Sequence, residues 1–390
     1  MVANRKILIS GAGVSGLTLA YWLEKWGFEP TIVEKRSNLS DRGYMIDFYG
    51  SGFDVAEKID LIDTLQAESR QYPIARLKFV NNEGKPRAEL DVAKFKALLN
   101  QRYFPLMRGD LENVLYQVVR ECVPVRFNTS IQQLEVNPDC IAIDFSDQLS
   151  ETYDLVIGAD GIHSNVRSLL WGREEQFRRS LGFTVACSVI DNFLDQEAFY
   201  SHFEPNLQTT LYSIGQGKLA TFIAFPSKEE AVRDRGAQLR ILTEHLEKGG
   251  WVVPQILEAT RNAREFFFDQ VAQIHLDHWF QHRVALVGDA CQCLTLLAGQ
   301  GASLGMACAY LLAKQLSDAA GDYQKAFLVY EQELQPEILR RQKDARGLAN
   351  GFVPKNQLDI WISYLFLHAF FFPGVRSLVR KQIGARSVIH

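Results

Sequence analysis

Apolar runs and a helical pattern alternate over the first 34 residues and predict a βαβ unit. Residues 6–10 form a short apolar run typical of a buried strand. Residues 14–26 carry apolar side chains at helical spacing and stop before Gly27, and residues 31–34 form a second strand-like run. A strand, a helix and a second strand in this order are typical of α/β domains built on a parallel sheet.

The rest of the chain is predicted to contain a β-rich region, with segments of mixed helices and strands before and after it. From residue 182 the apolar runs are short and separated by polar breaks, which indicates an antiparallel sheet with one open face. These runs cover residues 183–190, 197–203, 208–214 and 219–225. The flanking pattern predicts helices over 108–120, 237–248, 302–315 and 323–343, the last bent near Pro336, and strands over 123–128, 131–136, 140–145, 153–157 and 283–287.

A glycine-rich motif connects the first strand to the first helix. Residues 11–16 read Gly-Ala-Gly-Val-Ser-Gly, which is the GxGxxG pattern. In this pattern Gly11 permits the tight turn, Gly13 lets a pyrophosphate approach the backbone, and Gly16 lets the helix pack closely on the strand. Glu34 ends the second strand, where a carboxylate accepts hydrogen bonds from ribose hydroxyls. The motif predicts a dinucleotide site and by itself does not separate NAD from FAD.

Composition and charge argue against several other classes of protein. The 42 Lys and Arg against 46 Asp and Glu give a net charge of −4, so there is no basic excess for phosphate contacts and a nucleic-acid partner is not expected. The six cysteines show no metal-ligand or disulfide spacing, which favours reduced thiols, a cytoplasmic location and no metal site. No signal peptide is recognised, and the apolar stretch 360–372 is shorter than the ~20 residues of a spanning helix, so membrane association is not expected.

Two further segments separate FAD from NAD. Residues 154–167 read Asp-Leu-Val-Ile-Gly-Ala-Asp-Gly-Ile-His-Ser-Asn-Val-Arg, and residues 283–290 read Arg-Val-Ala-Leu-Val-Gly-Asp-Ala, followed by Leu-Ala-Gly-Gln-Gly at 297–301. Together with the glycine-rich motif they closely resemble the three signatures of the single-component (group A) flavoprotein monooxygenases, which have the para-hydroxybenzoate hydroxylase fold. The resemblance covers nearly the whole chain, in the family's order and spacing.

The resemblance implies an α/β fold with a discontinuous Rossmann-like FAD-binding domain. We expect this domain to comprise residues 1–72, 101–176 and 281–350. A β-rich antiparallel-sheet substrate domain, residues 73–100 and 177–280, is expected to interrupt it. Residues 351–390 are expected to form a C-terminal helical segment that covers the cleft.

The resemblance also implies which residues hold a non-covalent FAD. Asp289 is expected at the ribityl hydroxyls, Asp160 near the pyrophosphate, and Gly299, Gln300 and Gly301 near the isoalloxazine, where they open a helix. For Arg42 and Arg108 the alternative is an ordinary surface salt bridge. The expected cofactor contacts are Gly11, Gly13, Val14, Ser15, Gly16, Glu34, Lys35, Arg42, Asp47, Arg108, Asp160, Asp289, Gly299, Gly301 and Ala302.

The substrate side is less specific in the sequence. Residues 20–23, 27–30 and 43–47 resemble a subgroup that includes the tetracycline-inactivating monooxygenases, in which a C-terminal helix closes over the substrate. The aromatic-rich residues 357–372 are expected to do this here, although core packing and, less favoured, peripheral membrane attachment are alternatives. Candidate substrate contacts, each also an ordinary sheet-packing residue, are Phe183, Tyr200, His202, Tyr212 and Phe222. Such a cleft suits a flat, apolar, partly phenolic molecule.

The implied activity is that of an FAD-dependent NAD(P)H monooxygenase. NADPH or NADH reduces the flavin, and a C4a-hydroperoxide formed with O2 hydroxylates an aromatic, phenolic or polyketide-like molecule, with tetracycline-type antibiotics among the candidates. The sequence departs from the family at Gln292, Leu296 and Ser303, which replace the usual His, Pro and Asn. The alternative is therefore an FAD-binding protein that has lost oxygenation, acting as a non-redox cyclase or a binding scaffold. The chain is expected to be a monomer or a homodimer.

Overall fold

A computed structural model describes residues 4–39, 43–69, 72, 74–194, 199–227, 232–372, 374 and 387–389. Within these ranges the strands are, in chain order, β1 (Lys6–Ser10), β2 (Glu29–Val33), β3 (Met45–Tyr49), β4 (Arg76–Val80), β5 (Pro86–Asp91), β6 (Tyr103–Met107), β7 (Val125–Arg126), β8 (Ile131–Val136), β9 (Ile141–Phe145), β10 (Ser150–Tyr153), β11 (Leu155–Gly158), β12 (Arg178–Asp191), β13 (Phe199–Glu204), β14 (Leu207–Ser213), β15 (Lys218–Pro226), β16 (Phe266–Ile274), β17 (Phe280–Gln281) and β18 (Val284–Leu286). The α-helices are α1 (Val14–Lys25), α2 (Ser51–Lys58), α3 (Ile62–Ser69), α4 (Val92–Leu98), α5 (Arg108–Val119), α6 (Asn165–Leu170), α7 (Arg235–Leu246), α8 (Val253–Asn262), α9 (Asp289–Gln292), α10 (Gly301–Asp318), α11 (Tyr323–Phe352) and α12 (Gln357–Ala369).

The first sheet has six strands in the order β17-β18-β11-β1-β2-β7. β1 pairs in parallel with β2 and β11, and β11 pairs in parallel with β18, so the predicted βαβ unit lies at the sheet centre. Ile7, Leu8 and Ile9 are completely buried because α1, α5 and α10 contribute to the same core. A strand covered on both faces is continuously apolar, which is why this run was readable from sequence.

The second large sheet has seven strands in the order β16-β12-β15-β14-β13-β4-β5. Its pairs are antiparallel except for β13 with β4, which run parallel, and β4 and β5 come from an earlier part of the chain. One face packs on α7 and α8. The predicted open face is instead packed in part against Tyr44, Met107 and Leu296 from the cofactor side of the molecule.

Several element limits differ from the sequence prediction. The strand predicted over 123–128 is only Val125–Arg126, and the run predicted over 153–157 is split between β10 and β11, which belong to different sheets. Periodicity does not show where a chain leaves one sheet for another. The helix predicted over 323–343 extends to Phe352 with Pro336 inside it. The antiparallel pair β3–β6, which joins Met45 to Met107, was not predicted.

The C-terminal helix α12 packs at the β5 edge of the seven-stranded sheet. The Tyr364 hydroxyl donates a hydrogen bond to the Val80 carbonyl oxygen at 3.1 Å, and the Tyr364 ring lies 5.9 Å from that of Phe203. Within the described residues, no helix is both long and apolar enough to cross a bilayer. The domain limits stated above stay a prediction.

Removing a buried side chain from β1 should destabilise the first sheet. Leu8 is completely buried beside Val156 and Thr31, so Leu8→Ala should lower the free energy of unfolding by about 2–5 kcal/mol. Leu339→Ala on α11 removes the same atoms from a side chain that is 51% exposed and should cost less than about 0.5 kcal/mol. Urea unfolding followed by tryptophan fluorescence compares them, and equal losses would contradict this packing.

Candidate cofactor and substrate site

A cavity of about 670 Å³ lies between the carboxyl ends of β1, β2 and β11 and the seven-stranded sheet. Most of the predicted cofactor contacts meet in its wall, although they come from widely separated parts of the chain. These are Gly11, Gly13, Val14, Ser15, Glu34, Lys35, Arg108, Asp160, Asp289, Gly299, Gly301 and Ala302. Of the other expected residues, Gly16, Asp47 and Gln300 are not part of this wall, and Arg42 lies outside the described residues.

Glycine is needed at the three motif positions for different reasons. A Cβ atom on Gly11, where φ is +110°, would lie 2.6 Å from the Ala159 carbonyl oxygen, and one on Gly16 would lie 2.0 Å from the Gly11 carbonyl oxygen. Both positions therefore need glycine for the chain to pack on itself. A Cβ atom on Gly13 would meet only the Glu112 and Arg108 side chains, at 3.5 and 3.7 Å. The space over Gly13, at the N-terminus of α1, is free for a phosphate.

Glu34 is held at the end of β2 by three hydrogen bonds. Its carboxylate accepts from the Ala12 amide at 2.9 Å and from the Arg36 amide and Nε at 3.0 and 2.9 Å. Burial acts to raise the pKa of Glu34, but the bonds from Arg36 and Ala12 outweigh it and leave this pKa below its ordinary value. An ionised carboxylate thus faces the cavity and can accept from hydroxyl groups.

Arg108 is fixed by a buried carboxylate that the sequence analysis did not identify. Its guanidinium lies 2.8 Å from Oε1 of Glu112, whose side chain is completely buried one helical turn along α5. The negative charge of Glu112 raises the pKa of Arg108. The Arg108 amide also donates to the Tyr44 carbonyl oxygen at 3.0 Å. The i, i+4 spacing was the available signal for this pair.

Residues 159–164 form the loop between β11 and α6. Asp160 accepts hydrogen bonds from the Asn165 and Val166 amides at 2.9 and 3.0 Å, so it caps the start of α6. Arg167 is completely buried and donates to the carbonyl oxygens of Ala290 at 2.7 Å and Ile162 at 2.6 Å. It therefore ties the loop after β11 to the start of α9.

Asp289 and the turn before α10 lie side by side in the cavity. The Asp289 carboxylate is exposed to the cavity but surrounded by protein elsewhere, and this burial raises its pKa against the opposing effect of the Arg108 guanidinium. A Cβ atom on Gly301 would lie 3.9 Å from an Asp289 oxygen. Gly299, with φ of +63°, makes the turn that exposes the first N–H groups of α10. Such groups stabilise negative charge.

The side chains of Gln300 and Asp47 make hydrogen bonds next to this turn. Gln300 donates to the Tyr49 hydroxyl at 3.1 Å and accepts from Arg341 at 3.2 Å. Asp47 accepts from the Tyr103 hydroxyl at 2.8 Å, and a Cβ atom on Gly299 would lie 3.7 Å from its other oxygen. These two residues therefore act on the turn by packing and hydrogen bonding.

The candidate substrate residues divide between the two faces of the seven-stranded sheet. Phe183, Tyr212 and Phe222 are on the cavity side, where they pack behind the wall; the Tyr212 hydroxyl accepts from the Met45 amide at 2.8 Å. Tyr200 and His202 point to the opposite face, with both rings 5.7 Å from that of Trp251.

Strand alternation explains the placement of Tyr200 and His202, because residues 200 and 202 point opposite to 199 and 201 along β13. Burial lowers the pKa of His202 to about 4. The sheet residues that do reach the cavity were not predicted and include Cys187, Val189 and Phe267. Tyr44, from the loop before β3, joins them in the wall. Only a known register could have identified this set.

Three comparisons place these residues in a known group of proteins. The family model described as "FAD binding domain" matches residues 4–336. The chain belongs to this FAD-binding family. It is 32% identical over 389 residues to a protein named flavin-dependent monooxygenase from Legionella longbeachae, covering 98% of this chain and 93% of that one. The monooxygenase family expected from the three signatures is therefore confirmed.

Solved structures agree with this assignment. The crystal structure of tetracycline destructase Tet(55) is 27% identical and covers all of both chains with a TM-score of 0.86. The structure of Klebsiella pneumoniae HpxO with FAD and uric acid is 20% identical, with a TM-score of 0.79 over 98% of this chain and 97% of that chain, and supports the fold alone. The expected α/β fold with a β-rich part and C-terminal helices is confirmed.

The three residues that differ from the family pattern lie at different distances from the cavity. Gln292 is buried away from the cavity and donates to the Tyr330 hydroxyl at 2.6 Å. Ser303 is also buried, beside Gly52 of α2. Leu296 alone of these three lines the cavity. A substitution at Leu296 therefore bears directly on the cavity shape, whereas the other two act through the core.

The structure describes only part of the C-terminal segment that is predicted to cover the cleft. The contacts of α12 lie at Val80 and Phe203, and Phe370 directly after it contacts Phe95, all near the β5 edge of the sheet. The sheet part of the cavity wall instead comes from β12 and β16. Residues 373, 375–386 and 390 lie outside the described residues. The covering role stays a prediction.

His163 forms a charged contact between the loop after β11 and the seven-stranded sheet. Its Nδ1 lies 2.9 Å from Glu174, and its Nε2 lies 3.0 Å from Asp269 of β16. Hydrogen bonds to Asp269 and Glu174 raise the pKa of His163 to about 9 despite its partial burial. The imidazole is therefore protonated at neutral pH and bridges two carboxylates at the cavity wall.

Substitutions at the motif glycines should separate folding from cofactor binding. Gly13→Val should fold but hold no FAD, because its side chain fills only the space over the helix N-terminus. Gly16→Ala should lower the thermal midpoint by several degrees, because its Cβ atom has no room beside the Gly11 carbonyl. Thermal unfolding of the cofactor-free proteins and flavin content by absorbance measure the two effects. A folded Gly13→Val protein with full flavin content would contradict the role of Gly13.

The His163 contact should make stability depend on pH. Because its pKa in the folded protein, about 9, lies above the unfolded value of 6.5, its stabilisation is complete below about pH 6.5 and is lost as pH rises through 9. We expect His163→Asn to cost about 1 kcal/mol at pH 6, since the side chain is partly exposed to solvent, and little at pH 10. Urea unfolding at both pH values tests this. A difference that is the same at both would refute it.

Proposed function

We propose that the protein is an FAD-dependent monooxygenase that uses NAD(P)H and O2 to hydroxylate an aromatic, phenolic or polyketide-like small molecule. The observation that carries this proposal is the continuity of the cavity. One wall contains the predicted cofactor contacts, and the other contains Tyr44, Cys187 and Phe267 next to the sheet. A substrate on the sheet side would therefore lie beside a flavin held on the other.

The residues present fit FAD. The free space over Gly13 at the N-terminus of α1, with Arg108 beside it, suits the pyrophosphate. Glu34 can accept from ribose hydroxyls, and Asp289 can accept from those of the ribityl chain. The first N–H groups of α10 would stabilise negative charge on the reduced ring. Bound FAD would supply the electron transfer from the nicotinamide and the activation of O2.

The protein itself contributes orientation and the exclusion of water. Arg108 is held by Glu112, and the turn at 299–301 is braced by Gln300 and Asp47. The sheet-side wall combines apolar residues such as Cys187, Val189 and Phe267 with the polar residues Asp269 and Gln270. Where its apolar side chains line the cavity, they limit water near the reacting ring, which favours oxygen transfer to the substrate over release of hydrogen peroxide.

Tetracycline-type antibiotics are the first substrates to test, because Tet(55) is similar over the whole chain. Phenols and other polyketides fit the same combination of apolar and polar lining. We propose a cytoplasmic location for the enzyme, as a monomer or homodimer, with NADPH or NADH as reductant.

A second candidate is a protein that binds FAD but has lost oxygenation. Leu296 favours it, because this residue lines the cavity where the family usually has Pro. Such a protein would retain FAD but would not consume NAD(P)H in response to any substrate.

The purified protein should be yellow and release FAD on acid precipitation, since the proposal involves no covalent link. NADPH or NADH oxidation should rise on addition of a phenol, polyketide or tetracycline, with a product heavier by one oxygen atom. Asp289→Ala should weaken FAD binding roughly 10- to 100-fold, because charge-assisted hydrogen bonds are lost. Asp344→Ala, an exposed carboxylate on α11, is the matched control. Flavin titration and mass spectrometry provide the measurements.

A colourless protein that cannot be reconstituted with FAD would overturn the proposal. A yellow protein whose NAD(P)H oxidation is unaffected by the whole panel would favour the cyclase or scaffold instead.

A further inference from the structure

Tyr44 lies where the cofactor side of the cavity meets the sheet. Its ring packs against both the core of the first sheet and the cluster around Phe183, Val185 and Cys187. The backbone is fixed on both sides, because its carbonyl oxygen accepts from the Arg108 amide at 3.0 Å and the next residue, Met45, donates to the Tyr212 hydroxyl at 2.8 Å. The position of this ring is therefore set by the fold.

Phe267 lies beside Tyr44 in the cavity wall. It lies on β16 opposite Cys187 of β12, which in turn lies opposite Phe222 of β15, so the three side chains form one row across the sheet. The row ends at the Tyr44 ring, whose centroid is 5.9 Å from that of Phe267. Phe267 remains 38% exposed, and both rings line the cavity.

The angle between the two rings decides what they can bind. They are inclined by 50° and already in contact, so no flat molecule fits between them as in a sandwich. They form instead an aromatic corner, in which a ligand ring can stack on one face and meet the edge of the other. Offset-stacked and edge-to-face contacts are the arrangements that aromatic rings prefer. Because the corner exists before binding, little ordering is needed.

The phenol of Tyr44 adds a polar group to this corner. Burial raises the pKa of Tyr44 far above its ordinary value, so the hydroxyl keeps its proton and remains a hydrogen-bond donor. Arg108 and Asp289 lie on its cofactor side and Cys187 on its sheet side. A hydroxyl or carbonyl oxygen on a conjugated ring could accept from it.

We propose that Tyr44 and Phe267 form an aromatic corner that selects a planar conjugated ring as the substrate. The inference rests on the proposed function and names the two side chains that determine its specificity. Saturated molecules of the same size lack the flat face that the corner contacts. They are therefore bound less tightly, although they bury a similar apolar area.

The test compares 1-naphthol with decahydro-1-naphthol, which share a carbon skeleton and a hydroxyl group but differ in planarity. Binding to the oxidised, FAD-loaded protein is measured from the flavin absorbance and fluorescence changes, without turnover. We expect the wild-type protein to prefer 1-naphthol about 10-fold or more. Phe267→Leu and Tyr44→Leu should each reduce this preference roughly 3- to 10-fold, as one ring contact is lost.

Two further variants serve as controls. Phe268→Leu changes the neighbouring residue, whose ring lies near those of Phe225 and Phe266 in the cluster on the other face of the sheet, and should keep the preference. Tyr44→Phe keeps the ring and removes the hydroxyl, so it should keep the preference for planarity while weakening the binding of both alcohols. Flavin content is measured for every variant to show that the cofactor side is unchanged.

The aromatic corner would be overturned if the wild-type protein bound 1-naphthol and decahydro-1-naphthol equally well. It would also be overturned if the Tyr44→Leu and Phe267→Leu variants both kept the full wild-type preference for 1-naphthol. In either case FAD retention and substrate-dependent NADPH oxidation by the wild-type protein would still support the proposed function. Loss of FAD binding by the wild-type protein would refute the proposed function itself.

Discussion

The close contact around Ser15 is the constraint on which the cofactor side depends. Cβ atoms placed on Gly288 and Gly305 would lie 2.3 and 2.5 Å from its hydroxyl oxygen. The start of α1, the residue before α9 and the second turn of α10 therefore meet at one point, where a larger side chain at either glycine would push them apart. Three segments distant in sequence can build one cofactor cavity because glycine allows this approach.

Charged groups connect the cofactor side to the seven-stranded sheet. His163 bridges Glu174 and Asp269, and Arg178 lies 3.1 Å from the same Asp269. Arg108 is similarly held by Glu112. Each contact carries opposite charges in partly or fully buried positions, where neither partner is easily removed without leaving the other uncompensated. The cavity wall is thus held by paired charges as well as by apolar packing.

The substrate side follows a different principle. Strand alternation sorts its side chains, so that a strand directs one side chain toward the cavity and the next into the core beneath α7 and α8. Phe267, in the cavity wall, and its neighbour Phe268, in the cluster beneath α7 and α8, illustrate this division. The function proposed for the cavity and the aromatic corner both depend on that register, whereas the FAD fit depends on the glycine turns.

The sequence by itself determined the βαβ unit, the glycine turn, the three signatures and hence the family. These features are local, and the glycines are there because the turn leaves no room for a side chain. Only the tertiary structure decided that there is open space over Gly13 and none beside Gly16, and that Glu112 holds Arg108. It also decided that Tyr200 and His202 point away from the cavity while Phe267 lines it. These outcomes depend on strand register and on contacts between distant segments, and a shift of one residue along a strand reverses every side chain.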